Sequence, residues 1–139
     1  MDRLWRCAIP PLPKGRGLSR DQMTDCPTEA QEQRRLAEWL YVRKLVWVHV
    51  PNEGKRSPRT GRMLKLTGMQ AGFPDVVLFS APPNKPSARG AAIELKRVKG
   101  SKTSVEQMEW LLALGECGWE TYLARGADAA IAWLTELGY

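Results

Sequence analysis

Two short apolar segments of this chain carry charges where a buried strand should have none. The first is Val76-Val77-Leu78-Phe79, introduced by Gly72-Phe73-Pro74-Asp75. A Pro/Ser/Gly loop leads to the second, Ala91-Ala92-Ile93-Glu94-Leu95-Lys96. Successive strand residues point to opposite faces. Glu94 and Lys96 therefore project together, while Ile93 and Leu95 face a core. Charges at the edge of an apolar sheet are costly unless they are paired or bind a metal. The chain must therefore fold so that Asp75, Glu94 and Lys96 find partners.

The 139 residues, 43% hydrophobic and 26% charged, fit one soluble globular domain with a core of its own. No run is long enough for a membrane span, and no apolar stretch after the basic N-terminus resembles a signal peptide. Cys7, Cys26 and Cys117 are odd in number and widely spaced, which argues against a disulfide framework or a cysteine-ligated zinc. A reducing cytoplasm is the expected setting. The net charge of +6 favours polyanionic partners.

Residues 1–26 contain Pro10, Pro11 and Pro13, then Lys14-Gly15-Arg16-Gly17, without an apolar period. They read as a basic arm, either a tail or a DNA-binding segment, ahead of a domain over 27–139. Thr28-Glu29-Ala30-Gln31 fits a capping box and predicts a helix to about Lys44, with Leu36, Ala37 and Leu40 inward. At about 100° per residue, Glu29 falls between Leu36 and Leu40, and Gln33 lies on the same side. Glu29 is thus either a first-turn acid complementing the helix dipole or an acid aimed at a site. Glu32, off-centre, is the fallback.

Leu45 to Val50 predicts a strand ended by Pro51. His49 is the only histidine, and no second His or Cys is spaced to share a metal with it. A structural role is the simpler reading. Asn52 to Lys65 is basic, with Lys55, Arg56, Arg59, Arg62 and Lys65. It is either a solvated loop or a contact surface for a phosphate backbone. A short helix over Arg62 to Gln70 would turn Met63 and Leu66 inward. Arg97, Lys99 and Lys102 extend the basic surface.

Ser104-Val105-Glu106-Gln107 is a second capping box, opening a helix to about Cys117 that buries Met108, Leu111, Leu114 and Gly115. Trp110 sits at its margin. Gln107 either closes the cap or reaches the site. Gly118 ends that helix, Trp119 to Leu123 predicts a fourth strand, and a last helix over about Ala127 to Leu137 packs Ala130, Ile131 and Leu134. The order α-β-(α)-β-β-α-β-α describes an α/β fold, a small mixed sheet flanked by helices. The helix crossover makes the last strand pair parallel.

Carboxylate oxygens are hard ligands suited to Mg²⁺ or Mn²⁺. Asp75 and Glu94 can hold such an ion, the Leu95 carbonyl can add an oxygen, and Glu29 can complete the shell directly or through water. The ion would polarise a phosphate and acidify a bound water, and Lys96 would orient that water and offset charge. The competing reading is a plain Glu94–Lys96 ion pair with Asp75 as a turn residue.

Pro74-Asp75 followed by Glu94-Leu95-Lys96 resembles the PD-(D/E)xK nuclease signature. The wider pattern resembles the VRR-NUC domain, the virus-type replication-repair nuclease family. Its residues are Glu29 with Gln33, Pro51-Asn52-Glu53-Gly54-Lys55-Arg56, Leu64-Lys65, Gly68, and Ala71-Gly72-Phe73-Pro74-Asp75. They continue with Ile93-Glu94-Leu95-Lys96, Gly100, Ser104, Gln107, Trp110-Leu111 and Gly118. The resemblance implies a restriction-endonuclease-like fold and a metal-dependent DNA nuclease. It implies metal binding by Asp75 and Glu94, a catalytic Lys96, the helix-borne acid Glu29 and a further site residue Gln107. Stand-alone phage and bacterial members resemble enzymes acting on branched DNA such as four-way junctions or flaps. Cutting both strands of a symmetric junction calls for a homodimer, with Trp110 and Trp133 available either for that interface or for the core. No small-molecule cofactor and no membrane partner is expected.

Overall fold

The computed structural model describes residues 26–51 and 57–139. Its central strand is β3 (Ala91–Lys96), in which every residue is buried. β2 (Val76–Leu78) pairs with one edge of β3, antiparallel, and β4 (Glu120–Arg125) with the other, parallel. β1 (Trp47–His49) adds antiparallel to β2, giving a four-stranded sheet in the order β1-β2-β3-β4. The parallel pair is joined through helix α3 (Val105–Glu116), as a crossover requires.

The period-two pattern divides the sheet into two faces. Val76, Leu78, Ala91, Ile93 and Leu95 point toward α1 (Glu29–Val42) and α4 (Ala127–Glu136). There they form the main core with Leu36, Leu40, Ala130 and Leu134, all fully buried. Val77 and Ala92 point to the other face, where Phe73, Leu114 and Trp119 border the same small cavity. Glu94 and Lys96 share that second face.

Both expected capping boxes form. Thr28 and Gln31 close α1, and Ser104 and Gln107 close α3. α4 begins differently, because its N-cap, Gly126, has no side chain to offer. Instead Glu32 reaches across from α1, and its Oε2 accepts the Ala127 amide proton at 2.8 Å. Glu32 is only 2% exposed, and Arg35 donates to the same oxygen at 3.4 Å. The carboxylate thus meets an unsatisfied helix N-terminus of the polarity it complements. That accounts for a buried acid in α1 without a catalytic role.

Several expectations are corrected. The helix after the basic segment, α2, spans Pro58–Leu66 rather than Arg62 to Gln70. Ser57 supplies its N-cap and Pro58 its first turn, where a missing amide proton costs nothing. Met63 and Leu66 are 61% and 76% exposed, not inward, because α2 lies outside the layers and buries none of its residues. In α3, Leu111 is buried, but Met108 is 45% exposed and Gly115 is exposed. Of that helix, only the stripe above β3 and β4 is covered. β1 is shorter than expected, and β4 starts and ends later, at Arg125. The basic arm lies outside the described residues apart from Cys26, as do Asn52, Lys55 and Arg56. Among the described residues, no helix is long and apolar enough to cross a membrane.

Candidate active site

The β2–β3 register, Val76 opposite Ile93, brings Asp75 beside Glu94 at the end of the strand pair. Asp75, Glu94 and Lys96 are 7%, 1% and 3% exposed. Asp75 Oδ2 accepts the Leu95 amide proton at 2.8 Å. Lys96 Nζ lies 2.9 Å from Glu94 Oε1. Gln107 Nε2 donates to the same Glu94 oxygen. Gln107 Oε1 meanwhile accepts the Ser104 amide proton at 2.9 Å. One amide therefore closes the α3 cap with its oxygen and bonds Glu94 with its nitrogen. At the same helix start, the Glu106 carboxyl is held below the usual range by backbone hydrogen bonding and by the Ser104 hydroxyl.

The turn carrying Asp75 is clamped from two sides. Gly72 has φ +81, and a Cβ there would stand 2.7–2.8 Å from backbone atoms of Glu106 and Gln107. Only glycine lets the first turn of α3 come this close. Trp110 Nε1 donates to the Ala71 carbonyl at 3.0 Å and packs edge-on against Phe73. Trp133 stacks on Tyr122. From the other side, the Asp75 carbonyl accepts from Val50 N at 2.8 Å and bonds His49 Nδ1 at 3.0 Å. A carbonyl can only accept, so Nδ1 carries the proton in this bond.

Asp75 borders two cavities. One, of about 400 Å³, is lined on the α3 side by Gly72, Lys96, Lys102, Ser104 and Gln107. The other, of about 440 Å³, is lined on the α1 side by Glu29, Gln33, Trp47 and His49. Glu29, half-buried, thus faces the space that Asp75 faces, as its position on the apolar stripe predicts. Lys102 comes to the site as well. Lys99 is exposed on the following loop, and Arg59, Arg62 and Lys65 are exposed on α2. Arg97 is half-buried, with Nη2 3.9 Å from Cys26 Sγ.

Asp75, Glu94 and Lys96 thus bring two carboxyl groups and one amine into one buried cluster. Among the described residues, no three His, Cys, Asp or Glu side chains stand together as a ready-made cage. Asp75 and Glu94 nonetheless offer hard oxygen donors. Mg²⁺, which keeps several waters and takes one or two carboxylates, suits such a set. Sequence reasoning left Gln33 and His49 without a role at the site. The available signal was the spacing of Gln33, one turn beyond Glu29 on the same helix face.

The model of the family described as the VRR-NUC domain matches residues 27–128. A solved structure described as a VRR_NUC domain protein is similar in fold, with a TM-score of 0.64 and 24% identity. The match covers 80% of this chain and 88% of that one. No curated protein matches the chain.

Proposed function

Because this chain belongs to the VRR-NUC domain family, a nuclease-type fold, we propose that it is a divalent-metal-dependent DNA endonuclease selective for branched DNA. The observation that carries this reading is the buried grouping of Asp75, Glu94 and Lys96, in which Asp75 borders both cavities. Asp75, Glu94 and the Leu95 carbonyl would hold Mg²⁺ or Mn²⁺, with Glu29 directly or through water. When bound, the ion polarises the scissile phosphate and lowers the pKa of a water.

The remaining work falls to side chains. Lys96 places a positive charge against Glu94 and toward the cavity, where it orients the attacking water and offsets charge developing on the phosphate. Gln107 does not compete for the ion. It positions Glu94 by holding one of its oxygens. Lys102, on the rim, meets the DNA backbone, and Lys99, Arg97, Arg59, Arg62 and Lys65 extend that contact; Asn52, Lys55 and Arg56, expected to join them, lie outside the described residues. Charge-neutralising contacts of this kind make binding salt-dependent. A second copy would supply the second cut of a symmetric junction. The exposed stripe Val105, Met108 and Leu112 on α3 supports a face for it.

The test is a panel of labelled four-way junction, flap and linear duplex, incubated with Mn²⁺ or with chelator. Metal-dependent cutting of branched forms is expected, and Glu94→Gln should abolish it in a folded protein. Absence of metal-dependent cutting on every substrate would overturn the nuclease reading. Equal cutting of linear duplex would overturn the selectivity. Sedimentation showing a monomer both free and on junction DNA would remove the dimer.

A further inference from the structure

The cavity between α1 and β1 has chemistry that the nuclease reading does not use. It holds about 440 Å³ and borders Asp75 and Glu29 at one end. The rest of its wall includes Ala30, Ala37, Trp47 and Pro51, with Arg34 and His49 also on the lining. Trp47 is held edge-on by Tyr41, with ring centroids 5.4 Å apart and planes at 82°, so the indole is a fixed wall. The lining also carries one amide, Gln33. Its Nε2 is buried and makes no hydrogen bond among the described residues. A buried donor left unpaired costs about 1–3 kcal/mol, and such a cost is recovered when a ligand supplies an acceptor.

The chemistry of the ligand follows from the walls. Apart from Glu29 and Asp75 at one end, and Gln33, Arg34 and His49, the wall is apolar. Apolar side chains and an indole suit a flat, neutral ring. The Gln33 amide suits a ring whose edge carries a carbonyl or ring-nitrogen acceptor, which nucleobases present. The Asp75 contact puts that ring next to the phosphate being cut.

We propose that this cavity receives an unpaired nucleobase of the DNA beside the scissile phosphate, and that Gln33 is the specificity-determining residue that reads its edge. The proposal rests on the nuclease reading for its substrate, and it gives that reading a physical source of selectivity. A base inside a duplex must be unstacked and unpaired before it can enter, at a cost of a few kcal/mol. At a branch point or flap it is already available. Branched DNA is then preferred because its loose nucleotide fits, without any sequence-specific groove contact.

The experiment uses the full chain in chelator, so that binding is read apart from cutting. A flap substrate carries 2-aminopurine at successive positions around the branch, and fluorescence and anisotropy are recorded. One position should respond on binding. An abasic nucleotide there should weaken binding by wild type about tenfold, the share of one stacked base. Gln33→Ala should weaken binding of intact DNA about fivefold, one hydrogen bond, and leave abasic DNA unchanged. Circular dichroism checks the fold, and the abasic series needs no variant at all. No responding position, or a Gln33→Ala effect equal on intact and abasic DNA, would overturn the proposal. Cutting in Mn²⁺ is scored separately. Cutting without a base response sinks the pocket alone, and a Gln33-dependent base response without cutting sinks the nuclease reading alone.

Discussion

Replacing Gln107 should cost more than losing a helix cap. Ser104→Ala removes one capping bond, the Gln107 amide to Ser104 Oγ at 3.2 Å, worth about 1 kcal/mol. Gln107→Ala removes the reciprocal cap bond at 2.9 Å and also the donor to Glu94. Glu94 is 1% exposed, so that second bond is charge-assisted and shielded from water; such bonds contribute about 1.5–3 kcal/mol. The expected total for Gln107→Ala is roughly 2–4 kcal/mol. With a urea slope of about 1–3 kcal/mol/M, the midpoint should fall by about 1–2 M, clearly more than for Ser104→Ala. The assay is urea unfolding of the metal-free protein, with the same pair of variants repeated in a Glu94→Gln background. Neutralising Glu94 makes the bond an ordinary one, about half as strong, so Gln107→Ala should then cost about 1 kcal/mol less. Equal costs in both backgrounds, within the roughly 0.3 kcal/mol scatter of independent sites, would refute the idea that one side chain serves cap and site together.

Glu32→Ala should lower stability by about 1–2 kcal/mol, through loss of the Ala127 contact, while leaving DNA cutting per folded molecule intact; Glu29→Ala should do the reverse, and denaturation set beside cleavage rates separates them. Gly72→Ala should destabilise by about 1–3 kcal/mol, since it adds both a strained positive φ and a close contact with α3; a thermal melt reads it directly. Burial, and then the negative charge of Glu120, push the Tyr139 hydroxyl up to about 12. Its folded pKa is raised, so its stabilising share is complete below about pH 10 and is lost as pH rises toward 12. Tyr139→Phe should flatten the alkaline limb of a stability–pH curve over that window.

Much of this arrangement was legible from local pattern. Thr28 with Gln31 and Ser104 with Gln107 each state a helix start within four residues. Glu94 and Lys96 state their common face by spacing alone. What escaped the sequence depends on what covers a surface. Met63 and Leu66 have an amphipathic spacing, but a stripe does not say whether anything packs on it, and among the described residues α2 buries none of its own. Met108 has the same history. Glu32 read as a spare acid because its partner, the Ala127 amide, lies 95 residues away. His49 read as structural, and its bond to the Asp75 carbonyl agrees. The inward acid Glu29 was visible as an anomaly of face, and Asp75 supplies the cavity it shares.

The Glu32 contact has a consequence for how the molecule assembles. α4 has no start signal of its own, because Gly126 contributes no cap. Its first amide is satisfied by an acid made near the beginning of the domain and delivered only when α1 docks. A peptide of residues 127–139 should therefore be largely unstructured, since isolated helices of that length are marginal even without a missing cap. During synthesis the last helix cannot nucleate on its own and must wait for a surface that already exists. In native-state hydrogen exchange, α1 and α4 should open together as one cooperative unit, although they lie at opposite ends of the domain's chain.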